Sequence, residues 1–229
     1  RQKQYEYKSL ELGQKIIYNK IIIQRQTLKS LRNKTIDCKR TIRRLDVLAE
    51  SLTEDTLPLL SILGVEGSAS KIYFAEMFAF TDWKGRKPRI KQDYINSALD
   101  IGYTVLFNVI DAVTGIYGFD TYYGVLHRCF YMRKSLICDL MEPFRAIIDT
   151  TVRKGINLKQ IKEDDFEKIK GQYVLKYKKS SEYTALFLNA IMEIKEELFL
   201  YIQGYYRKFM KSAAVNEFPM FGEIKNGSN

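Results

Sequence analysis

Cysteine, proline and long apolar runs are all scarce in this chain, and each scarcity excludes a class of protein. Three cysteines in 229 residues are too few and too scattered for a disulfide framework or a zinc cluster, so we expect reduced thiols in a cytoplasm. No apolar run reaches the roughly 20 residues of a membrane span, because Lys, Asp or Glu interrupts each candidate, and we expect no membrane contact. Position 1 is Arg and no signal-peptide pattern follows it, so we expect a piece trimmed from a longer protein.

Positive charge is abundant where those features are rare. The chain has 37 Lys and Arg against 27 Asp and Glu, a formal net charge of +10. Such an excess favours a polyanionic partner, with nucleic acid ahead of a membrane surface, although lysine-rich chains that bind neither also exist. Apolar residues make up 46% of the chain, with 16 Tyr and 13 Phe, which excludes a disordered tail and predicts a substantial core.

The hydrophobic periodicity predicts an all-α fold, because only four prolines interrupt long patterns with a 3.6-residue repeat. We expect one helical domain over residues 1–229, with one small β-hairpin near residues 168–177. The second helix is markedly basic, with Lys39, Arg40, Arg43 and Arg44. The longer predicted helices span residues 6–31, 35–48, 57–80, 93–116 and 181–213, and a short helix and a longer one follow residue 124.

The stretch GVLHRCFYMRKSLICDLMEPFR contains the only histidine of the chain, His127, followed by Asp139 and Glu142. On one straight helix, His127 and Glu142 would lie ~22 Å apart, so they can share a ligand only if the chain reverses between them. MRKSL is a suitable place for this reversal, with Ser135 as the N-cap of a new helix. Pro143 removes a helical hydrogen bond and predicts a kink that aims Glu142 away from the helix axis.

A third acidic residue, Glu66, lies between Gly64 and Gly67 in an otherwise apolar helix. Each glycine weakens a helix by ~1 kcal/mol relative to alanine, so close approach of another backbone or of a ligand is a reasonable explanation for both. A carboxylate on an apolar face is costly unless it is paired or bound to a metal. The pattern leaves two readings open: a metal site, or a hydrogen-bonded core histidine with Glu66, Asp139 and Glu142 paired to Arg145, Arg133 or Lys71.

Four segments resemble motifs of one family, the CRISPR-associated adaptation integrase Cas1. LGVEGSASKIYF, PRIKQDYINSALDIGYTVL and GFDTYYGVLHRCFYMRKSLICDLMEPFR occur in the order and with the approximate separations of three successive family motifs. KIIIQRQTLK, residues 20–29, resembles the helix that opens the family's α-helical domain. The resemblance covers most of residues 1–155. It implies that the family's N-terminal β-rich domain, which generally builds the homodimer, would precede residue 1.

The resemblance also implies a site and a reaction. A divalent Mg²⁺ or Mn²⁺ ion would be held by Glu66, His127 and Glu142, with Asp139 as an auxiliary carboxylate. Asn96 is a candidate for orienting a ligand or a phosphate. The implied reaction is attack of a 3′-hydroxyl on a phosphodiester of a CRISPR repeat, and water in its place would make the chain an endonuclease. A small companion protein, Cas2, is an implied partner, and the implied location is a prokaryotic cytoplasm.

In the integrase interpretation, the positive charges of Lys and Arg would hold the double-stranded DNA substrate. Lys and Arg crowd the loop WKGRKPR and the residues around the predicted ligands, and phosphate contacts of this kind position DNA without reading its sequence. A solvated, mobile charge run is the alternative for the loop. Trp83, Tyr122 and Tyr123 either stack on a base or, more commonly for tyrosines, pack in the core. The predicted DNA contacts are Lys84, Arg86, Lys87, Arg89, Lys91, Asn96, Arg133, Lys134 and Arg145.

Two other functions compete with the CRISPR integrase. A casposase, a transposon integrase of the same fold, would share the three ligands. A non-enzymatic basic helical module that binds nucleic acid or a partner helix would have the charge but no metal-dependent cleavage.

Overall fold

A computed structural model describes residues 9–32, 34–53, 55–88, 90–127 and 131–223. The predicted all-α fold with one small hairpin is confirmed over this part of the chain. Two antiparallel strands, β1 (Phe166–Ile169) and β2 (Gln172–Leu175), pair Phe166 with Leu175 and Ile169 with Gln172. The α-helices are α1 (Ser9–Ser30), α2 (Ile36–Glu50), α3 (Leu59–Met77), α4 (Tyr94–Gly115), α5 (Ser135–Leu140), α6 (Arg145–Asn157), α7 (Ser180–Met192) and α8 (Lys195–Met210).

The first three helices pack against one another, and α1 and α3 contribute residues to the cleft described below. Ile17, Ile21 and Leu28 of α1 are fully buried, as their spacing predicts. Thr35 caps α2 by accepting a hydrogen bond from the Cys38 N–H at 3.0 Å. The basic residues predicted for α2 are exposed, because its apolar stripe faces α1 and α3. The predicted beginning of the first helix, at residue 6, lies outside the described residues.

Helix α4 is the central helix and contacts α5, α6, α7 and α8. Asp93 caps it by accepting from the Asn96 N–H at 2.7 Å. By length and composition alone, α4 is apolar enough to cross a membrane, and 39% of its most apolar window is buried inside the protein. Its buried polar residues Asn96, Ser97 and Thr114 and its packing on four helices are those of a core helix.

The chain bends twice between His127 and Arg145. Helix α5 is only six residues long, and a 3₁₀ turn, Glu142–Phe144, separates it from α6. This break lies where Pro143 predicts it, because proline cannot donate the next helical hydrogen bond. The predicted N-cap was wrong by one position: Lys134 precedes α5 and Ser135 is its first residue, fully buried.

One long helix was predicted over residues 181–213, and the structure has two. Helix α7 ends at Met192, where the Ile194 N–H bonds to the Ile191 carbonyl at 3.1 Å, and α8 begins at Lys195. No glycine or proline marks this break, and buried Ile191 and Leu198 lie on either side of it. The bend therefore keeps both apolar faces in one core.

The residues after α8 return to α1. The Asn19 amide donates to the Phe221 carbonyl at 2.9 Å and accepts from the Phe221 N–H at 2.8 Å, and the Phe221 and Phe144 ring centroids lie 4.4 Å apart. Asn19 is fully buried by this contact. The end of the described chain thus fixes the helix that carries Lys20. The KNGSN tail, predicted to fray, lies outside the described residues.

Candidate functional site

A large cleft of about 1930 Å³, formed by the described residues, contains most of the predicted site. Its walls come from α1, α3, α4, the loop after α3, and the segment from His127 to Asp149. Glu66, His127 and Glu142 all line this cleft. The cations that line it are Lys20, Lys71, Lys84, Arg86, Lys91, Arg133, Lys134 and Arg145.

Asp139 organises the turn that carries His127. Its carboxylate is fully buried and accepts four hydrogen bonds. Oδ2 accepts from the N–H groups of Val125 at 2.6 Å and Leu126 at 3.0 Å. Oδ1 accepts from the His127 N–H at 3.1 Å and lies 2.5 Å from His127 Nδ1. Because the carboxylate accepts the other three bonds, it acts as the acceptor to Nδ1–H, which leaves the lone pair of the imidazole on Nε2.

Gly124 makes room for this arrangement. A Cβ atom at this position would lie 2.6 Å from Asp139 Oδ2 and 2.7 Å from the His127 carbonyl oxygen. Both contacts are far inside van der Waals distance, so any side chain would push the loop away from the carboxylate. The GVLH sequence therefore needs its glycine for the position of the histidine.

The two glutamates meet around a lysine that the sequence reasoning missed. The Lys20 ammonium lies 2.7 Å from Glu142 Oε2 and forms a second ion pair with Glu66 Oε1. Arg145 Nε lies 3.0 Å from the same Oε2 of Glu142, and the Ser70 hydroxyl donates to Glu66 Oε1 at 3.0 Å. The sequence did offer a signal, because Lys20 lies three and four positions from Ile16, Ile17 and Gln24, on the buried face of α1.

The charges of this cluster stabilise one another. Burial alone would raise the pKa of Glu142, but the positive charges of Arg145 and Lys20 outweigh it and lower that pKa to about 2. Burial would likewise lower the pKa of Lys20, yet Glu142 and Glu66 raise it overall. Glu142 is thus an ionised carboxylate although only 5% of its surface is exposed.

The predicted convergence of three ligands around one ion is only partly present. Among the described residues, no three His, Cys, Asp or Glu side chains are grouped closely enough to hold a metal. The two carboxylates are instead both in contact with the Lys20 ammonium. The residues nevertheless fit a divalent ion by their chemistry, with two carboxylates and an imidazole Nε2 on one cleft. Glu142 Oε2 is also a buried oxygen held by ion pairs, without a hydrogen bond of regular geometry to any described residue.

The glycines beside Glu66 lie on an open face. A Cβ atom added at Gly64 or Gly67 would meet nothing within 4 Å among the described residues. The prediction that another part of the protein backbone approaches these glycines closely is therefore wrong. Close approach of a ligand stays a prediction.

Part of the basic loop after α3 is hydrogen-bonded to Asn96, at the start of α4. The Asn96 amide accepts from Arg86 Nη1 at 3.0 Å and from the Lys87 N–H at 2.8 Å, and it donates to the Gly85 carbonyl at 3.1 Å. Arg86 also pairs with Asp100 at 2.5 Å. Asn96 is 0% exposed, so its predicted direct contact with a phosphate is wrong: it holds the loop in shape.

The other predicted DNA contacts divide into two groups. Lys84, Lys91 and Arg133 line the cleft, as does Lys134, which pairs with Asp111 at 2.6 Å. The Lys87 side chain is exposed outside the lining, where it donates to Gln92, and Arg89 lies outside the described residues.

The three aromatic residues that were weighed for base stacking differ in position. Trp83 also lines the cleft, but it packs edge-on against Phe74 and Phe78 and its indole donates to Asp93 at 3.0 Å. Neither Tyr122 nor Tyr123 is part of the described cleft lining. Core packing is therefore the better interpretation for Trp83.

A buried carboxylate in the wall of the cleft, Asp149, supports Arg145. Asp149 accepts from the Tyr103 hydroxyl at 2.5 Å and from the Tyr73 hydroxyl at 3.1 Å. Burial raises the pKa of Asp149 to about 6, in spite of both hydrogen bonds. The Arg145 guanidinium lies 4.7 Å from the centroid of the Tyr103 ring, so the arginine is held from two sides, by this ring and by Glu142.

Comparison with known proteins identifies the family. The family model described as CRISPR associated protein Cas1 matches residues 1–189. The CRISPR-associated endonuclease Cas1 1 of Francisella tularensis subsp. novicida (strain U112) is 35% identical over 162 residues, 66% of this chain and 50% of that protein. The chain spans about half the length of the curated relatives it matches.

Two solved structures share the fold. A Cas6-RT-Cas1–Cas2 complex superposes with a TM-score of 0.87 at 25% identity, over 98% of this chain and 26% of that chain. A casposase bound to integration product gives 0.77 at 21% identity, over 98% and 69%, a likeness of fold alone. The family match covers far more than half of the sequence and includes every residue of the cleft described above, and the chain therefore belongs to the Cas1 family of CRISPR-associated proteins.

Proposed function

We propose that this chain carries the catalytic centre of a divalent-metal-dependent DNA endonuclease and integrase that inserts new spacers into a CRISPR array. One observation carries the proposal: two carboxylates, an oriented imidazole and a ring of cations line the same cleft. A purely structural or partner-binding helical module has no need to bury Lys20 and Glu142 together, because each buried charge is costly to desolvate.

Glu66, Glu142 and Nε2 of His127 would hold the ion, Mg²⁺ or Mn²⁺. When bound, it would supply positive charge to the scissile phosphate and to the leaving oxygen. Asp139 fits an auxiliary role, because its two oxygens are already engaged with the turn and the imidazole. It sets the tautomer and direction of the histidine, as partners of metal-binding histidines commonly do.

The reaction is a transesterification, which needs no reactant other than the attacking hydroxyl group and the phosphodiester. A 3′-hydroxyl oxygen of the incoming fragment bonds to the phosphorus of a phosphodiester, and the bond from that phosphorus to a strand's 3′ oxygen breaks. The proton of the attacking hydroxyl ends on the leaving oxygen. Water as the attacking group gives hydrolysis, which is endonuclease activity. Arg145, fixed against Tyr103, is positioned to neutralise phosphate charge in the cleft.

The DNA is bound through its backbone in this proposal. Lys84, Lys91, Arg133 and Lys134 line the cleft together with Arg145 and offer charge to phosphates. Asn96, at the start of α4, holds Gly85 and Lys87 of the loop that carries Lys84 and Lys91. Affinity should fall steeply with salt.

Partners belong to the proposal as well. One structural neighbour is a Cas6-RT-Cas1–Cas2 complex, which supports Cas2 as a companion of the protein to which this chain corresponds. A homodimer and a prokaryotic cytoplasm remain predictions from the family resemblance.

The test is an integration assay with Mn²⁺, a supercoiled plasmid that carries a CRISPR repeat, and a short duplex with free 3′-hydroxyls. Glu66→Gln should abolish strand joining and nicking while DNA binding in a gel-shift assay changes little. Glu76→Gln is the matched control, since Glu76 lies on the same helix α3 but outside the cleft lining. If both variants behave as the unmodified chain does, and the chain neither joins nor nicks DNA, it is a basic nucleic-acid-binding module and the proposal fails.

A further inference from the structure

Lys20 is an unusual residue to find at the bottom of a cation-binding cleft. Its side chain is 8% exposed, and its ammonium contacts Glu66 and Glu142, the two carboxylates proposed to hold a divalent ion. A buried ammonium is expensive to desolvate unless opposite charges surround it. Here they do, so the lysine and the two glutamates form a closed ionic cluster without any metal.

We propose that Lys20 is an internal counter-cation that holds Glu66 and Glu142 together in the metal-free protein and competes with the divalent ion for them. The lysine therefore weakens metal binding until its ammonium moves aside. This inference rests on the proposed function, because it takes Glu66 and Glu142 as the ligands.

The charge count explains why one cation must give way. Glu66 and Glu142 carry two negative charges, and Lys20 and Arg145 carry two positive ones, so the cluster is neutral. A divalent ion added to this cluster would give it a net charge of +2. The ion would then repel the nearby positive charges of Lys20 and Arg145 strongly. Withdrawal of one ammonium removes half of that excess.

The contacts indicate which cation moves. Arg145 is held by Glu142 and by the face of the Tyr103 ring, two unlike contacts on different sides. The ammonium of Lys20 is held by the two carboxylates, the groups for which the ion competes. Its backbone is fixed, because the neighbouring Asn19 is bonded to Phe221, but the flexible four-carbon side chain faces the cleft. Rotation of the side chain alone moves the ammonium off the carboxylates.

The test measures metal binding without DNA and without activity. Mn²⁺ affinity is measured by isothermal titration calorimetry on the whole chain and on Lys20→Met, which keeps the side chain's bulk and removes its charge. We expect Mn²⁺ to bind Lys20→Met about tenfold more tightly or better. Lys15→Met is the matched control: Lys15 lies on the same helix and bonds the Asn216 carbonyl at 2.7 Å, away from the cleft, so its replacement should leave Mn²⁺ affinity unchanged.

Thermal unfolding gives a second readout. Without metal, Lys20→Met should melt at a lower temperature than the unmodified chain, because Glu66 and Glu142 have lost a counter-charge. Mn²⁺ should raise the melting temperature of the variant by more than that of the unmodified chain. If Lys20→Met fails to fold, Lys20→Gln is used for the same comparison.

The outcomes separate this inference from the proposed function. If the folded variant binds Mn²⁺ no more tightly than the unmodified chain, while Glu142→Gln abolishes binding, the metal site stands and the role of Lys20 is refuted. If Mn²⁺ binds neither the unmodified chain nor the lysine variants, the inference and the proposed metal site both fail. Tighter binding in Lys20→Met, with Lys15→Met unchanged, supports the competition.

Discussion

Replacement of Asp139 by asparagine tests whether this carboxylate positions His127. Asparagine has nearly the same shape, but its side chain offers one acceptor oxygen and one NH₂ group in place of two acceptor oxygens. Asp139 accepts two hydrogen bonds on each oxygen, at distances between 2.5 and 3.1 Å. In either orientation of the asparagine amide, its NH₂ group faces two groups that donate hydrogen bonds to Asp139 in the unmodified chain.

The cost follows from this count. Two hydrogen bonds to a charged acceptor are lost, and each contributes about 1.5–3 kcal/mol, so the free energy of unfolding should fall by about 3–6 kcal/mol. If the NH₂ group faces the imidazole, Nδ1 must become an acceptor and the proton moves to Nε2, which then cannot ligate a metal. Loss of stability and loss of Mn²⁺ binding are therefore expected together.

Urea unfolding followed by circular dichroism gives the first quantity, and calorimetric titration with Mn²⁺ gives the second. Asp111→Asn is the matched control, because Asp111 forms one partly exposed ion pair with Lys134 and its loss should cost less than about 1 kcal/mol. A fall of less than about 1 kcal/mol for Asp139→Asn, with Mn²⁺ binding retained, would refute the positioning role.

Three further outcomes are expected. Gly124→Ala should lower the free energy of unfolding in urea by about 1–3 kcal/mol and weaken strand joining, since its Cβ would lie 2.6 Å from a buried carboxylate oxygen. Gly64→Ala, on an open helix face, should instead raise the free energy of unfolding by up to about 1 kcal/mol. Burial raises the pKa of Asp149 to about 6, so its stabilising contribution is complete below pH about 4 and is lost as the pH rises through about 6. Asp149→Asn should therefore gain about 2 kcal/mol relative to the unmodified chain between pH 4 and 7 in urea unfolding, and no relative gain would contradict this. Lys84→Ala should lower the salt dependence of DNA binding by about one unit of log–log slope in fluorescence anisotropy, while Lys87→Ala, outside the cleft lining, should not.

Helix positions were readable from the sequence because the apolar stripe of each long helix faces a single core. Ile17, Ile21 and Leu28 show this in α1. The break between α7 and α8 was not readable, since no glycine or proline lies at Ile194 and tertiary packing alone bends the chain there. The kink at Glu142, where the structure has a 3₁₀ turn, could be predicted because Pro143 cannot complete an α-helical hydrogen bond.

The candidate site was partly predictable for a related reason. A carboxylate in an apolar segment, such as Glu66, stands out by its desolvation cost, and the turn needed between His127 and Glu142 followed from helix geometry. Lys20 carried the same kind of signal on the buried face of α1, but its partners lie 46 and 122 positions away, and only the folded chain shows the pairing. The role of Asn96 also depends on a loop that folds back over α4, which no local pattern indicates.

The contact between Asn19 and Phe221 links residues 202 positions apart and has a consequence for the order of folding. Phe221, whose backbone groups bind the neighbouring Asn19, is synthesised 202 residues after Asn19 in the helix that carries Lys20. A nascent chain can form α1 to α6 and still hold the lysine loosely, so the ionic cluster should reach its final rigidity only after residue 221 has been made. Metal binding by a chain that is still being synthesised would then depend on how long after Lys20 the segment around Phe221 is made.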